Sequence, residues 1–325
     1  MVQIQNTSVV AQEEKLDHVF SSIYCLYTVL GAILNSFLLF LIVSYKQDAL
    51  KRYRILLGNT TCTLLLLSIL TLFLQLRFVM TGDSMAYVSL GPARFLNSPR
   101  LSLFATAWML VTDIYSFMTI AMCMVYKYIT VTRSPPSVKR IYAFISLFYL
   151  LPLSTGVALI IYNQNFSTLY SVMEVAHPEY HMQRYGKYCG LLDIKNYFVL
   201  YFLGVVCLIS ALTYGVMIVT CLKIRRYILS VRSMTSSKSA RMFNMMIKGL
   251  VIQSCMPIFF SFPTKILYFA MQFGGFESLL AEYMVALIKK KLRLSKVMDS
   301  VQRIDVPAAT VTSRQVHFTS HVASF

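Results

Sequence analysis

Charge is scarce in this chain. Asp, Glu, Lys and Arg make up 13% of its 325 residues, and only 13 of them are acidic. So little charge excludes an ordinary soluble globule, whose surface has to be covered with polar groups. The five histidines (His18, His177, His181, His317 and His321) all lie outside the apolar runs, and there is no Cys-x-x-Cys, no His-Glu-x-x-His and no glycine-rich strand-to-helix loop. A buried metal, a nucleotide cradle or a catalytic constellation has little to be built from, so no catalytic residue, metal or cofactor is expected. A secretory leader is also absent as an expectation. Residues 1–19 carry Glu13, Glu14 and Asp17, and the first apolar run is far longer than a leader's core.

Apolar residues are what the chain has in excess, at 57% with a mean hydropathy of +0.63, and they arrive in blocks. Six blocks, at 20–45, 55–78, 101–126, 141–161, 197–222 and 247–273, are long enough to cross about 30 Å of hydrocarbon as helices. Spanning strands would be shorter and would alternate apolar with polar. Gly31, Gly156, Pro152, Pro257 and Pro263 interrupt these runs, as membrane helices tolerate. The expected layout is an outer N-terminal tail at 1–19, a helical bundle at 20–288, and a basic then disordered tail at 289–325.

The net charge of +17 sits in short clusters between the runs. Connection one has Lys46, Lys51, Arg52 and Arg54, and connection three has Lys127, Arg133, Lys139 and Arg140. Connection five adds Lys223, Arg225, Arg226, Arg232, Lys238 and Arg241. The opposite side has only Lys15, Arg94, Arg100, Arg184, Lys187 and Lys195. Cytoplasmic loops collect such cations, so the N-terminus is expected outside and the partner is a lipid bilayer, with no nucleic acid. Connection five could dock an intracellular protein or hold acidic lipid.

A seventh segment, 276–288, is anomalous. It is roughly 20 Å long as a helix, carries Glu277 and Glu282, and precedes Lys289, Lys290 and Lys291. It is too short to cross unaided, yet the charge rule wants the basic residues inside. A truncated seventh helix is the expectation.

Asp113 lies mid-way along the third run and Lys265 in the outer half of the sixth. Intramembrane charge is costly and marks either a ligand contact or a structural pair. Both residues are ligand-pocket candidates, and they are natural partners for each other. Arg77, at the outer edge of the second run, is expected to snorkel to the interface. Asn35 and Asn59 are expected to hydrogen-bond between helices. Asn6-Thr7-Ser8 is a glycosylation sequon in the outer tail, with Asn6 the candidate acceptor; Asn165-Phe166-Ser167 lies too close to the bilayer. Of seven cysteines only Cys189 falls in a polar connection, free or paired between chains.

Four stretches carry a resemblance: residues 51–60 (KRYRILLGNT), 84–92 (SMAYVSLGP), 133–137 (RSPPS) and 252–257 (IQSCMP). Over about residues 20–285 the chain resembles the nematode serpentine receptors of class delta. That resemblance implies an all-α membrane fold, a seven-transmembrane-helix bundle of rhodopsin-like type with its seventh helix truncated. It also implies a chemosensory receptor of small environmental molecules, coupled to a heterotrimeric G protein in the plasma membrane of sensory neurons. Tyr126-Lys127-Tyr128 stands where rhodopsin-like receptors carry Asp-Arg-Tyr, which makes Lys127 a G-protein-facing candidate alongside Arg225 and Arg226. Where the family usually has Cys after Leu-Gly-Pro this chain has Ala93, so Cys189 lacks the expected disulfide partner. The alternatives are a transporter or channel, for which no internal repeat is visible, and a non-signalling truncated family member.

Overall fold

The computed structural model describes residues 2–44, 51–81, 83–132, 136–162 and 165–232. The chain opens with two long helices, α1 (Val2–Ser44) and α2 (Lys51–Leu74). Two strands follow, β1 (Leu76–Thr81) and β2 (Ser84–Ser89), then α3 (Pro99–Thr132) and α4 (Val138–Ile161). A short helix α5 (Phe166–Ala176), strand β3 (Cys189–Leu191) and the long α6 (Tyr197–Arg232) complete the order among the described residues. Single 3-10 turns occupy Pro92–Leu96, Pro178–Tyr180 and Met182–Tyr185.

Among the described residues, five segments are long and apolar enough to cross a bilayer: Glu14–Ser44, Arg52–Leu74, Pro99–Thr130, Val138–Ile161 and Tyr197–Tyr227. They match the first five runs read from the sequence. The sixth run (247–273), the short segment (276–288), the tail and Lys265 lie outside the described residues.

Hydrocarbon offers the backbone no partners, so each span must satisfy itself as a helix. The hydroxyls inside the bundle follow the same logic. Thr28 donates to the Tyr24 carbonyl, Thr60 to Leu56, Ser68 to Leu64 and Thr71 to Leu67, at 2.6–3.0 Å. Each closes onto its own helix one turn back. Leucines, valines and phenylalanines such as Leu26, Phe40, Leu147, Leu150, Leu212 and Val219 point outward and exposed, the surface expected against lipid tails.

The third helix is the axle. Its spanning window is 78% buried, against 22–44% for the other four, and α2, α4 and α6 all pack on it. Helix α4 runs unbroken through Pro152 and comes close to α3 at Gly156, where an added Cβ would sit 2.4 Å from Val111 Cγ2. Only hydrogen fits there.

Above the end of the bundle reached by α1, a cap is built from the antiparallel order β1-β2-β3. The hairpin pairs Leu76 with Ser89 through to Thr81 with Ser84, and β2 pairs Ala86 with Gly190. An added Cβ on Gly190 would lie 2.2 Å from the Met85 carbonyl oxygen, so a side chain there would push the strands apart. Helix α5 closes over the sheet, burying Val79, Ala86, Val88, Leu169, Met173, Met182 and Tyr188 as one apolar cluster.

The cap corrects one expectation. The second run was read as helix to residue 78, with Arg77 snorkelling from its end. Helix α2 instead ends at Leu74, and Arg77 is a strand residue only 1% exposed. An apolar run does not itself say where helix becomes strand.

Candidate functional site

Asp113 stands 14 residues into α3, roughly 21 Å along its axis. It is 8% exposed. Helical spacing puts it on one stripe with Ile120 and Met124, which pack against Met217 and Ile224 of α6. At Ile120 and Met124 this stripe of α3 faces α6. A different face of α3, carrying Thr112 and Tyr115, borders a cleft of about 340 Å³ shared with Asn59 and Thr63 of α2 and with Ser146 and Tyr149 of α4. Asn59 donates to the Tyr115 hydroxyl at 3.0 Å, the bond between helices that was expected of it, and the Tyr115 ring meets Tyr149 edge-on. Asn35 differs. Its amide donates within its own helix, to the Gly31 carbonyl at 2.8 Å.

At the opposite end from the cap, Lys127 lies 5.4 Å above the Tyr53 ring at the start of α2, and Tyr53 stacks on Tyr126. Lys223 of α6 lies 5.8 Å above the Tyr128 ring. The ends of α2, α3 and α6 thus meet in a layer of cations on tyrosines, a contact worth about 0.5–1 kcal/mol where exposed. Arg225 and Arg226 are exposed on the same end of α6. Lys127, Arg225 and Arg226 therefore share one end of the bundle. Asp113 does not belong to that group, and the side chain of Asn6 lies outside the described residues.

The cap holds a cluster that the sequence did not announce. Arg77 from β1 and Arg184 from the Met182–Tyr185 turn converge on Asp17 of α1, each at 3.4 Å. The Tyr185 hydroxyl accepts from Arg77 at 2.9 Å and from Arg184 at 2.5 Å, and donates to Asp17 at 2.5 Å. Burial, ahead of the opposing pull of Arg77, pushes the Tyr185 phenol well above its ordinary range, so the hydroxyl stays a donor. The Tyr180 ring covers the Arg77 guanidinium at 4.9 Å and stacks on His177, which bonds Thr81 at 2.7 Å and the Met80 carbonyl at 3.0 Å. The cluster draws on three separate stretches of the chain: Arg77 lies 60 positions from Asp17, and Tyr185 lies 108 from Arg77 and 168 from Asp17.

Cys189 is buried and free. Its sulfur lies 3.7 Å from Thr106 Oγ1, and burial pushes the thiol up to about 12. Ala93 is buried in the same apolar cluster, so a methyl group occupies the position at which the family resemblance implies a second cysteine. Among the described residues no group of His, Cys, Asp and Glu could hold a metal ion.

Comparison with known proteins places this architecture. The family model Serpentine type 7TM GPCR chemoreceptor Srd matches residues 20–291. Serpentine receptor class delta-59 of Caenorhabditis elegans is 24% identical over 259 residues, covering 79% of this chain and 78% of that protein. Serpentine receptor class delta-32 of the same animal is 25% identical over 295 residues, covering 89% and 84%. Serpentine receptor class delta-33 is 25% identical over 288 residues, covering 83% and 78%.

Proposed function

We propose, from the premise that the chain belongs to the Srd family of serpentine seven-transmembrane chemoreceptors, that it detects small environmental molecules and signals through a heterotrimeric G protein. The N-terminus and cap face outward at the plasma membrane of a sensory neuron, and the basic helix ends face the cytosol. A ligand entering between the spans reaches Asp113, with Lys265 as the opposing charge, and shifts the balance between two arrangements of α3 and α6. Lys127, Arg225 and Arg226 then present a changed surface to the G protein. Asn6 carries the glycan.

The observation that supports this reading is the polarity of the bundle. A buried acid sits mid-way along the central helix, a folded cap closes one end, and Lys127, Lys223, Arg225 and Arg226 gather at the other. Lysine provides a point charge rather than the planar fork of arginine, so Lys127 acts by charge and by its seat on Tyr53.

The test is G-protein activation in cells expressing the full chain, challenged with a broad panel of volatile and water-soluble compounds. An active compound is expected to lose potency on Asp113→Asn and to lose maximal response on Lys127→Ala. Surface-exposed receptor with no ligand-dependent activation across the panel would remove the support for signalling.

A further inference from the structure

The cap contains a carboxylate site that one of the protein's own side chains already fills. Two guanidinium groups from separate elements, Arg77 of β1 and Arg184 of the Met182–Tyr185 turn, and the Tyr185 hydroxyl all aim at one carboxylate, that of Asp17. Arg77 is 1% exposed, and a buried cation demands a counter-ion. The fit is imperfect. Charge-assisted N–H to carboxylate bonds run at about 2.7–2.9 Å, whereas both arginines stand 3.4 Å from Asp17. Tyr185 donates to it at 2.5 Å. Glu14, one turn earlier on α1, reaches Arg184 only at 3.8 Å and is largely exposed. Asp17 itself is 14% exposed, so the mouth of the site touches solvent. The rings of Tyr180 and Tyr185 flank Arg77 at 4.9 and 5.9 Å and give the site aromatic walls.

We propose that Arg77, Arg184 and Tyr185 form a binding site for small carboxylate-bearing molecules, in which Asp17 is a tethered occupant that the ligand displaces. Displacement removes these bonds from the N-terminal end of α1 and so reports the ligand to the first span. Asp17 competes with any free carboxylate, which lowers apparent affinity by the fraction of time the site is vacant. That the carboxylate arrives from outside the cell rests on the receptor reading above; binding to purified protein does not, so the two fail separately.

The experiment uses the full chain in lipid nanodiscs with radiolabelled propionate as the probe, propionamide as the uncharged competitor and chloride matched for ionic strength. Asp17→Ala is expected to bind propionate about tenfold more tightly than the wild-type chain, the gain that corresponds to a tether leaving the site vacant about one-tenth of the time. Asp17→Asn, which keeps the shape, is expected to bind more tightly than wild type and serves if the alanine variant does not fold. Adding Arg77→Met to either is expected to abolish binding, and propionamide is expected not to compete. Equal affinity in wild type and both Asp17 variants, binding that survives Arg77→Met, or no propionate binding to any variant would overturn the proposal.

Discussion

Gly190→Ala is the smallest change that tests the cap. An ideal Cβ at residue 190 falls 2.2 Å from the Met85 carbonyl oxygen, 2.8 Å from Ala86 Cα and 3.1 Å from Leu169 Cδ2. The first two are backbone atoms of the paired strand and cannot swing aside as a side-chain tip would. Strand β3 must therefore part from β2, and the pairs Met85–Leu191, Ala86–Gly190 and Tyr87–Cys189 come apart together. Overpacking of about 1–3 kcal/mol plus about 1 kcal/mol for each lost backbone bond gives a cost of at least about 3 kcal/mol. The change also uncovers Cys189. With its thiol at about 12, on the order of one molecule in 10⁴ is thiolate at pH 8. Exposed to water at an ordinary value near 8.5, about a quarter is thiolate, a gain of roughly 10³ in the reactive form. The assay is maleimide labelling of membranes at pH 8, with the modified cysteine identified by peptide mass. Wild-type Cys189 is expected to resist and the Gly190→Ala protein to label rapidly. The sign follows from burial: the thiol's pKa is raised in the fold, so its protonated form is the one the fold stabilises. That preference is fully present below the ordinary thiol value and fades as pH rises through about 12. An unlabelled Cys189 and an unchanged melting temperature in the variant would refute this account of the strand pairing.

Other outcomes follow from the same contacts. Tyr185→Phe removes a hydroxyl that serves two arginines and an aspartate, and is expected to cost about 1.5–3 kcal/mol in thermal unfolding of the detergent-solubilised protein. Asn59→Leu breaks only the bond to Tyr115 across α2 and α3, and about 0.6 kcal/mol is expected, a shift near the limit of a melting assay. Gly156→Val drives a branched side chain into Val111, and is expected to lower the yield of folded protein on size-exclusion chromatography while Gly204→Val, where an added Cβ meets nothing within 4 Å, leaves it unchanged. Lys127→Arg is expected to keep the cation on the Tyr53 ring and to retain a ligand response that Lys127→Ala loses, read as G-protein activation at equal surface expression.

The spans were legible because lipid imposes one rule on every residue within them. The runs at 101–126 and 141–161 fall within three to four residues of Pro99–Thr130 and Val138–Ile161. The second run failed at its end for a physical reason. Leu76, Phe78, Val79 and Met80 are as apolar as the helix before them, yet they belong to a strand, with Leu76, Phe78 and Met80 in the bundle core and Val79 packed with Leu169 and Met173 of α5. A signal was there in the dipeptide Gly82-Asp83 between two six-residue stretches, the spacing of a hairpin. The cap cluster had no such signal. Asp17, Arg77 and Arg184 are unremarkable singly, and only the fold of three separated segments brings them together. Asp113 was legible as a mid-span acid, whereas the stripe it shares with Ile120 and Met124 gains meaning only once α6 is seen to pack there.

The claim on which the receptor reading turns is that the cap and the basic helix ends face opposite sides of a membrane, the cap outward. Epitope tags placed before Val2 and just after Arg232 can be probed with antibody in intact and permeabilised cells. The first tag is expected to stain in intact cells, and the second only after permeabilisation. Staining of the second tag alone in intact cells, or of both, would contradict the orientation and with it the route from ligand to G protein.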